Sequence, residues 1–414
     1  MKQGIPFISI VIPAHNEEKT ICRTIESLMR QDYYNFEIII VDDGSTDNTC
    51  SKLIEHFNLH QMELVQVYDS IECKDVVKTW RVVTGGIHLY LIKKKNGGKG
   101  DALNAGINYS HGEYVVCIDA DCIVFHNMLS CLTEIIRNQR DIIAVGGMVL
   151  PVFGISNKIS RSCSWLIDAL QSFQELEYGI AFTIARPIFN RMETTMIISG
   201  AIGLFKRDLV VKLGGYSVDT VGEDMELVMR IRQYAATSKT PLKISYTRTA
   251  VCYAQLPWRT RDLIKQRIRW TVGLSDVLWK YRDMATSKEY NICEKITFWY
   301  YILIEKFSPH IECIGLIVCL FLNISKAAIA LIVLTVIVQL TLACIGSYKS
   351  LTSSIKSSKS RLKGFVKIAL LILSFVTIYH AFHSIVRLIS VPCYKLKRCK
   401  SKSVNASWIS PKRM

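Results

Sequence analysis

Between Ile8 and Thr49 the sequence repeats one pattern twice: a short apolar run, a polar loop, then apolar residues at helical spacing. Ile8–Ile12 reads as a strand followed by PAHNEEKTI. Asn16 can cap a helix beginning at Glu17, with Ile21, Ile25 and Leu28 on its apolar face. Glu37–Val41 reads as the second strand, closed by DDGSTDNT; Gly44 supplies the turn and Ser45 or Asp47 can cap the helix after it. Strand, loop, helix, strand at this spacing predicts a largely parallel α/β sheet whose ligand loops lie at the carboxyl ends of the strands. No GxGxxG follows the first strand, so the loop is not a dinucleotide fingerprint.

The stretch Tyr114–Asp121, YVVCIDAD, is an apolar run ending in Asp119 and Asp121. Acids at i and i+2 where a strand gives way to a loop can aim at one spot, and they repel unless a cation lies between them. Mg²⁺ is usually bound by one or two carboxylates together with substrate phosphates, so the pair is a candidate metal–diphosphate site; a plain loop start is the competing explanation. Upstream, NGGKGDALNAGI offers three glycines that admit a close ligand and Lys99 as a point charge for phosphate, before a helix through Ala102, Leu103 and Ile107. No Ser or Thr follows the lysine, so this is not a Walker loop. Residues 58–92 contain a strand at His88–Ile92 and an irregular stretch, ECKDVVKTWRVVTGG, compatible with an inserted hairpin.

Further on, Ile142–Leu150 reads as a buried strand, Ser164–Ala185 as an amphipathic helix, and TMIISGAIGLFKRDLVVKLGGY as a β-rich segment in which Ser199 and Gly200 could lie under a flat acceptor. Glu223 and Asp224 open a helix, VGEDMELVMRI. The helix dipole explains acids there, and so does a general base that takes a proton from an acceptor hydroxyl. Arg259–Tyr281 is a basic helix with Gln266, Arg269 and Trp270 on one face. Arginine suits a leaving diphosphate and tryptophan a sugar ring, while Arg and Trp on a helix lying on lipid headgroups is the other reading.

Charge placement separates two parts of the chain. Of 51 Lys and Arg and 35 Asp and Glu, fifteen basic residues and no acid follow Glu312, so residues 1–312 carry only about +1. The basic residues bracket long apolar runs, Phe298–Leu322, Ala327–Gly346 and Phe365–Val391, which favours anionic lipid and argues against nucleic acid. The basic stretch Lys349–Lys363 is expected on the cytoplasmic side, giving two spans and a third that is re-entrant or interfacial, with Glu305 and Glu312 either lining a polymer path or sitting at the interface. Fourteen cysteines without CxxC spacing or a His partner read as thiols in a reducing compartment, with no disulfide or zinc site. The start of the sequence has no secretory signal, so the folded part is expected in the cytoplasm.

In order, SIVIPAHNE, VDDGS, NGGKGDALN, DAD, GED and QRIRW resemble the membrane-bound family 2 glycosyltransferases of GT-A fold, over roughly residues 6–285. That group includes bacterial synthases of cellulose, hyaluronan, chitin oligomers and poly-N-acetylglucosamine, and the SGAIGLF and GEDMELV segments are most like the last. The resemblance implies a GT-A nucleotide-diphospho-sugar transferase domain over 1–285, membrane or interfacial helices over 296–393 and a basic tail over 394–414. It implies that Ala14, Glu17 and Asp43 hold the nucleoside, usually uridine, with Pro13 and Asn16 of the first loop also in the donor-binding set. Lys99, Asp119 and Asp121 would hold the diphosphate and its Mg²⁺ or Mn²⁺, with Asp121 the more direct ligand. Asp224, beside Glu223, would be the general base, and Gln266, Arg269 and Trp270 would lie beside the diphosphate and the acceptor end.

The implied reaction is inverting, from a UDP-sugar to a growing β-linked polysaccharide of N-acetylglucosamine or glucose type, by a processive hexosyltransferase. It would sit in the inner or plasma membrane as a multi-pass protein with a cytoplasmic catalytic domain, working on a carbohydrate acceptor and open to an accessory membrane subunit. Two departures stand out: no membrane helix precedes the catalytic domain, and Gly-Glu-Asp replaces the more usual Thr-Glu-Asp. Single transfer onto a polyprenyl phosphate or other lipid, and a non-catalytic membrane scaffold or nucleotide sensor, are the alternatives.

Overall fold

The structure, a computed structural model, describes residues 4–67, 70–139, 141–152, 164–257, 259–321, 326, 374 and 378–400. They pack as two compact units, one within Met1–Val152 and Phe189–Gln255, the other within Phe153–Ile188 and Leu256–Ser401.

In chain order the first unit holds β1 (Ile8–Ala14), α1 (Ile21–Met29), β2 (Phe36–Asp43), α2 (Thr49–Phe57), β3 (His60–Gln61), β4 (Val76–Thr84), β5 (Ile87–Lys94), α3 (Lys99–Asn108), β6 (Tyr114–Cys117), β7 (Cys122–Val124), α4 (Met128–Asn138) and β8 (Ile142–Val152). Past α5 (Ser164–Ile180) and α6 (Arg186–Arg191) it resumes with β9 (Gly203–Lys206), α7 (Arg207–Lys212), α8 (Glu223–Ser238) and β10 (Lys243–Gln255). Among the described residues the strands form one mixed sheet in the order β3-β4-β5-β2-β1-β6-β9-β8-β10-β7. The central pairs β5/β2, β2/β1 and β1/β6 are parallel, with Ile8 opposite both Phe36 and Tyr114. β1 and β2 are buried along their whole length, which is why ISIVIPA and FEIIIVDD are near-continuous apolar runs instead of alternating ones.

From β1 the chain steps outward through β2 to β5, then α3 carries it back to β6 on the other side of β1. The carboxyl ends of β1 and β6 therefore flank the point where strand order reverses, where open α/β sheets place their ligands. The inserted segment is a hairpin: β4 and β5 are antiparallel with Thr84 opposite Ile87, and Gly85 and Gly86 supply the positive φ values (57° and 79°) that a two-residue turn of this hand requires.

Three local expectations change. The first helix begins at Ile21 with Thr20 as its cap, not at Glu17, because Asn16 is left-handed (φ 58°) and its side chain is engaged elsewhere. The β-rich segment after Thr195 contains only the four-residue β9; Arg207–Lys212 is helical, with Val210 fully buried. The 13-residue β10, absent from the sequence reading, pairs in parallel with β8.

In the second unit α5 runs through a π-helical turn, Ala181–Ala185, into α6. After α9 (Thr260–Lys280) come α10 (Ile292–Tyr300), a second π-helical turn (Tyr301–Lys306), α11 (Ser308–Phe321) and α12 (His380–Lys400). Asn291 and Glu294 form a reciprocal capping box at the start of α10. The apolar run Phe298–Leu322 is thus not one continuous helix: the π-helical turn and Pro309 divide it, and α11, 14 residues long, spans only about 21 Å. Among the described residues, no helix is long and apolar enough to cross a membrane. The run Ala327–Gly346, the basic stretch Lys349–Lys363 and most of Phe365–Ile378 lie outside the described residues. Glu305 and Glu312 have partners within this unit: Arg387 at 3.3 Å and His380 at 3.0 Å.

Candidate active site

Beyond β6 the amide of Ile118 still bonds to the Val11 carbonyl, and a tight turn follows in which the Cys122 amide donates to the Asp119 carbonyl at 3.1 Å. Strand geometry and turn together bring Asp119 and Asp121 out at the carboxyl end of the sheet. Their oxygens and Cys122 Sγ all lie within 4.8 Å of one another. The Cys122 thiol is pushed well up by its hydrogen bond with Cys252, by burial and by the neighbouring acids. The two carboxylates are hard oxygen donors.

Lys99 is the first residue of α3, reached through Gly98 at φ 92°, a conformation open to glycine. Its Nζ lies 2.7 Å from Asp119 Oδ1 and 3.3 Å from Glu223 Oε1. Burial works against its charge, but Asp119, Glu223 and Asp224 more than offset that and hold the ammonium above the ordinary lysine range. Asp224 accepts the Gly200 N–H at 3.2 Å and the N–H of Met225 at 2.8 Å. A Cβ on Gly200 would meet Lys99 Nζ at 2.6 Å and approach Asp224 Cβ at 3.8 Å, so the absent side chain is the space the lysine occupies. Lys99, Asp119, Glu223 and Asp224, far apart in sequence, therefore share one site.

At the ends of β1 and β2, Pro13 and Ala14 are buried backbone opposite Val41 and Asp42. Asn16 Oδ1 accepts the N–H groups of Thr46 (2.8 Å) and Asp47 (3.2 Å), clipping the two loops together. Glu17 is buried; its N–H donates to Thr49 Oγ1 and its Oε2 accepts from Thr20. The Asp43 carboxylate is taken up inside the protein by Lys94 Nζ and by the N–H groups of Gly97 and Gly98. From sequence its neighbour Asp42 reads only as a turn residue of DDGS. Asp42 accepts from the Ser45 N–H through Oδ1, its Oδ2 is buried with no hydrogen-bond partner among the described residues, and burial raises its pKa. Lys94 and Asp101 were passed over; Lys94 stands in a run of three lysines, and Asp101 lies inside NGGKGDALN, where the glycines and Lys99 drew the reading.

Gln266, Arg269 and Trp270 belong to the second unit, on α9. Trp270 is 40% exposed, with the Arg267 guanidinium 4.3 Å from its ring centroid and the Tyr178 ring 6.5 Å away. Arg267 is itself buried and donates to Glu177 Oε1 at 2.6 Å, while Tyr379 donates to Glu177 Oε2 at 2.9 Å. Gln266 Oε1 is buried with no hydrogen-bond partner among the described residues.

Residues 6–273 match the family described as "Glycosyltransferase like family 2". The chain belongs to glycosyltransferase family 2. This family 2 glycosyltransferase is 26% identical over 276 residues to a poly-β-1,6-N-acetyl-D-glucosamine synthase of Staphylococcus epidermidis, covering 67% of this chain and 56% of that protein. It is 27% identical over 290 residues to the synthase of the same name from Staphylococcus aureus (strain COL), covering 69% and 58%. The chain thus spans just over half the length of the curated relatives it matches. A mannosyltransferase from Pyrobaculum calidifontis, solved in complex with GDP-Man and Mn²⁺, matches with a TM-score of 0.54 at 16% identity, over 94% of this chain and 87% of that one. That likeness supports a GT-A-like fold.

For a family 2 glycosyltransferase the donor chemistry at Asp119 and Asp121 fits a divalent cation of the Mg²⁺ or Mn²⁺ kind. Two carboxylates converge, and Lys99 already balances part of the acidity.

Proposed function

We propose that the protein is a membrane-bound inverting glycosyltransferase that moves a sugar from a UDP-sugar onto a growing β-linked polysaccharide, of N-acetylglucosamine or glucose type. The observation carrying this reading is the convergence of Lys99 on Asp119 and Glu223, with Asp224 held by the Gly200 N–H beside them. Lys99 meets the diphosphate and offsets its negative charge as it departs. Asp224 accepts the proton of the acceptor hydroxyl while that oxygen bonds to the anomeric carbon. The bond from this carbon to the diphosphate oxygen breaks, and its electron pair leaves with UDP. A divalent cation held by Asp119 and Asp121 would supply further charge neutralisation at the diphosphate. Trp270, partly exposed and backed by Arg267, suits stacking on a sugar ring.

Apolar runs flanked by basic segments support a multi-pass place in the inner or plasma membrane, with the catalytic unit on the cytoplasmic side and room for an accessory subunit. Membranes containing the full chain, given labelled UDP-sugars, test the reading. Long, water-soluble label that vanishes in Asp224→Asn supports it; label extracted into organic solvent indicates transfer to a lipid; no UDP release with any donor refutes it.

A further inference from the structure

Lys94 ends β5, and its side chain is wholly buried. Its Nζ lies 2.7 Å from Asp43 Oδ1, contacts Asp101 Oδ1 directly and donates to the Lys95 carbonyl at 2.7 Å. One cation therefore serves two carboxylates that are almost out of reach of water. A buried carboxylate left without a partner is strongly unfavourable, so this arrangement is held by its members jointly.

The two acids grip the turn that follows. Asp43 accepts the N–H groups of Gly97 at 2.9 Å and Gly98 at 2.8 Å. Asp101 accepts the Lys74 N–H at 3.0 Å and 3.2 Å, and it packs so closely on Gly97 that a Cβ there would meet Asp101 Cγ at 2.4 Å. The turn thus lies between two carboxylates joined by one ammonium. It leads directly into Lys99, whose Nζ faces Asp119 and Glu223.

We propose that Lys94 is a positioning residue for the donor site: by sharing its charge between Asp43 and Asp101 it fixes the 96–98 turn, and through that turn it fixes Lys99 against Asp119 and Glu223. The inference rests on the donor-site reading above and adds to it a residue that touches neither substrate nor cation. Lys94 acts only through Lys99, so its effect falls on donor affinity and is absent once Lys99 can no longer respond.

The test is a double-mutant cycle on the full chain in membranes, with Lys94→Met, Lys99→Met and both together, reading donor KM and kcat separately beside thermal unfolding. Lys94→Met is expected to raise the donor KM roughly tenfold, within the range for coupled neighbours, with a smaller change in kcat. The double variant is expected to be no worse than Lys99→Met alone. An unchanged KM in a folded Lys94→Met protein overturns the proposal, and so do effects that multiply in the double variant, since general loosening would add to the loss of Lys99. If Lys94→Met alone does not fold, the same cycle is run in the Asp101→Asn background, where one buried carboxylate fewer needs compensation, with the same two outcomes. Unaltered donor KM in Lys99→Met would instead sink the donor-site reading itself.

Discussion

The same three parallel strands carry acid at each end, a single glutamate at one and a cluster of carboxylates at the other, and the two ends behave differently. At the amino ends of β1, β2 and β6, Glu37 is 2% exposed and enclosed by partners. Its Oε1 accepts from Ser9 Oγ at 2.5 Å and from the His111 N–H at 2.8 Å, its Oε2 lies 3.1 Å from His111 Nδ1, and the Gly112 N–H closes the ring onto Ser9 Oγ. At the carboxyl ends, Asp119 is 31% exposed and keeps oxygen within reach of Asp121, while Lys99, Glu223 and Asp224 gather around it. In sequence, a Glu opening a strand and an Asp closing one look alike. The fold encloses the first acid among neutral donors and gathers the second set around one lysine at the carboxyl end of the sheet, so a buried acid is no sign of a site until its surroundings are known.

The largest effect that would sharpen this contrast is removal of divalent metal. Chelation should take transfer to background, and added Mg²⁺ or Mn²⁺ should restore it, while the thermal unfolding that depends on Glu37 stays put. Next, Asp224→Asn should lower kcat by about 10²–10⁴ with UDP binding, read by equilibrium dialysis, nearly unchanged. A mutant as active as the parent would remove the proposed base. At the closed end, Glu37→Gln should cost about 1–3 kcal/mol in denaturant unfolding and leave donor KM and kcat alone. A kinetic effect there comparable to that of Asp224→Asn would erase the distinction between the two ends. The smallest effect concerns pH. Lys99 is held above its ordinary value of 10.5, so the stability its pairing contributes is fully present below that value and is lost only as pH rises through the higher folded one. Unfolding scans of parent and Lys99→Met between about pH 7 and 10 should therefore run parallel.

How much of this was legible follows from the range of the forces involved. β1, β2, β6 and β8 could be read because strands covered on both faces need unbroken apolar runs, and turn residues bound them. The carboxylates at 119, 121, 223 and 224 could be singled out by their places at element ends. What escaped depends on contacts distant in sequence. Asn16 looked like a helix cap because local spacing allows it, but its amide is engaged by Thr46 and Asp47, 30 residues on. Arg207–Lys212 has β-branched valines and still folds as a helix, where packing outweighs intrinsic preference. Lys93, Lys94 and Lys95 are identical letters in a row. Strand alternation turns Lys94 inward to two acids while Lys95 pairs with exposed Asp75, and nothing in the run itself says which acids will be waiting. At Gly200 the structure adds a duty that the sequence did not show, clearance for the lysine.

The shared ammonium at Lys94 also sets an order in which this part of the molecule can drift. Losing the lysine first strands two anions in the interior, whereas losing the acid at Asp101 first leaves one cation matched to one anion. Neutral change should therefore enter at position 101 before position 94, and a chimaera that keeps both acids without the lysine should fold poorly for that reason alone.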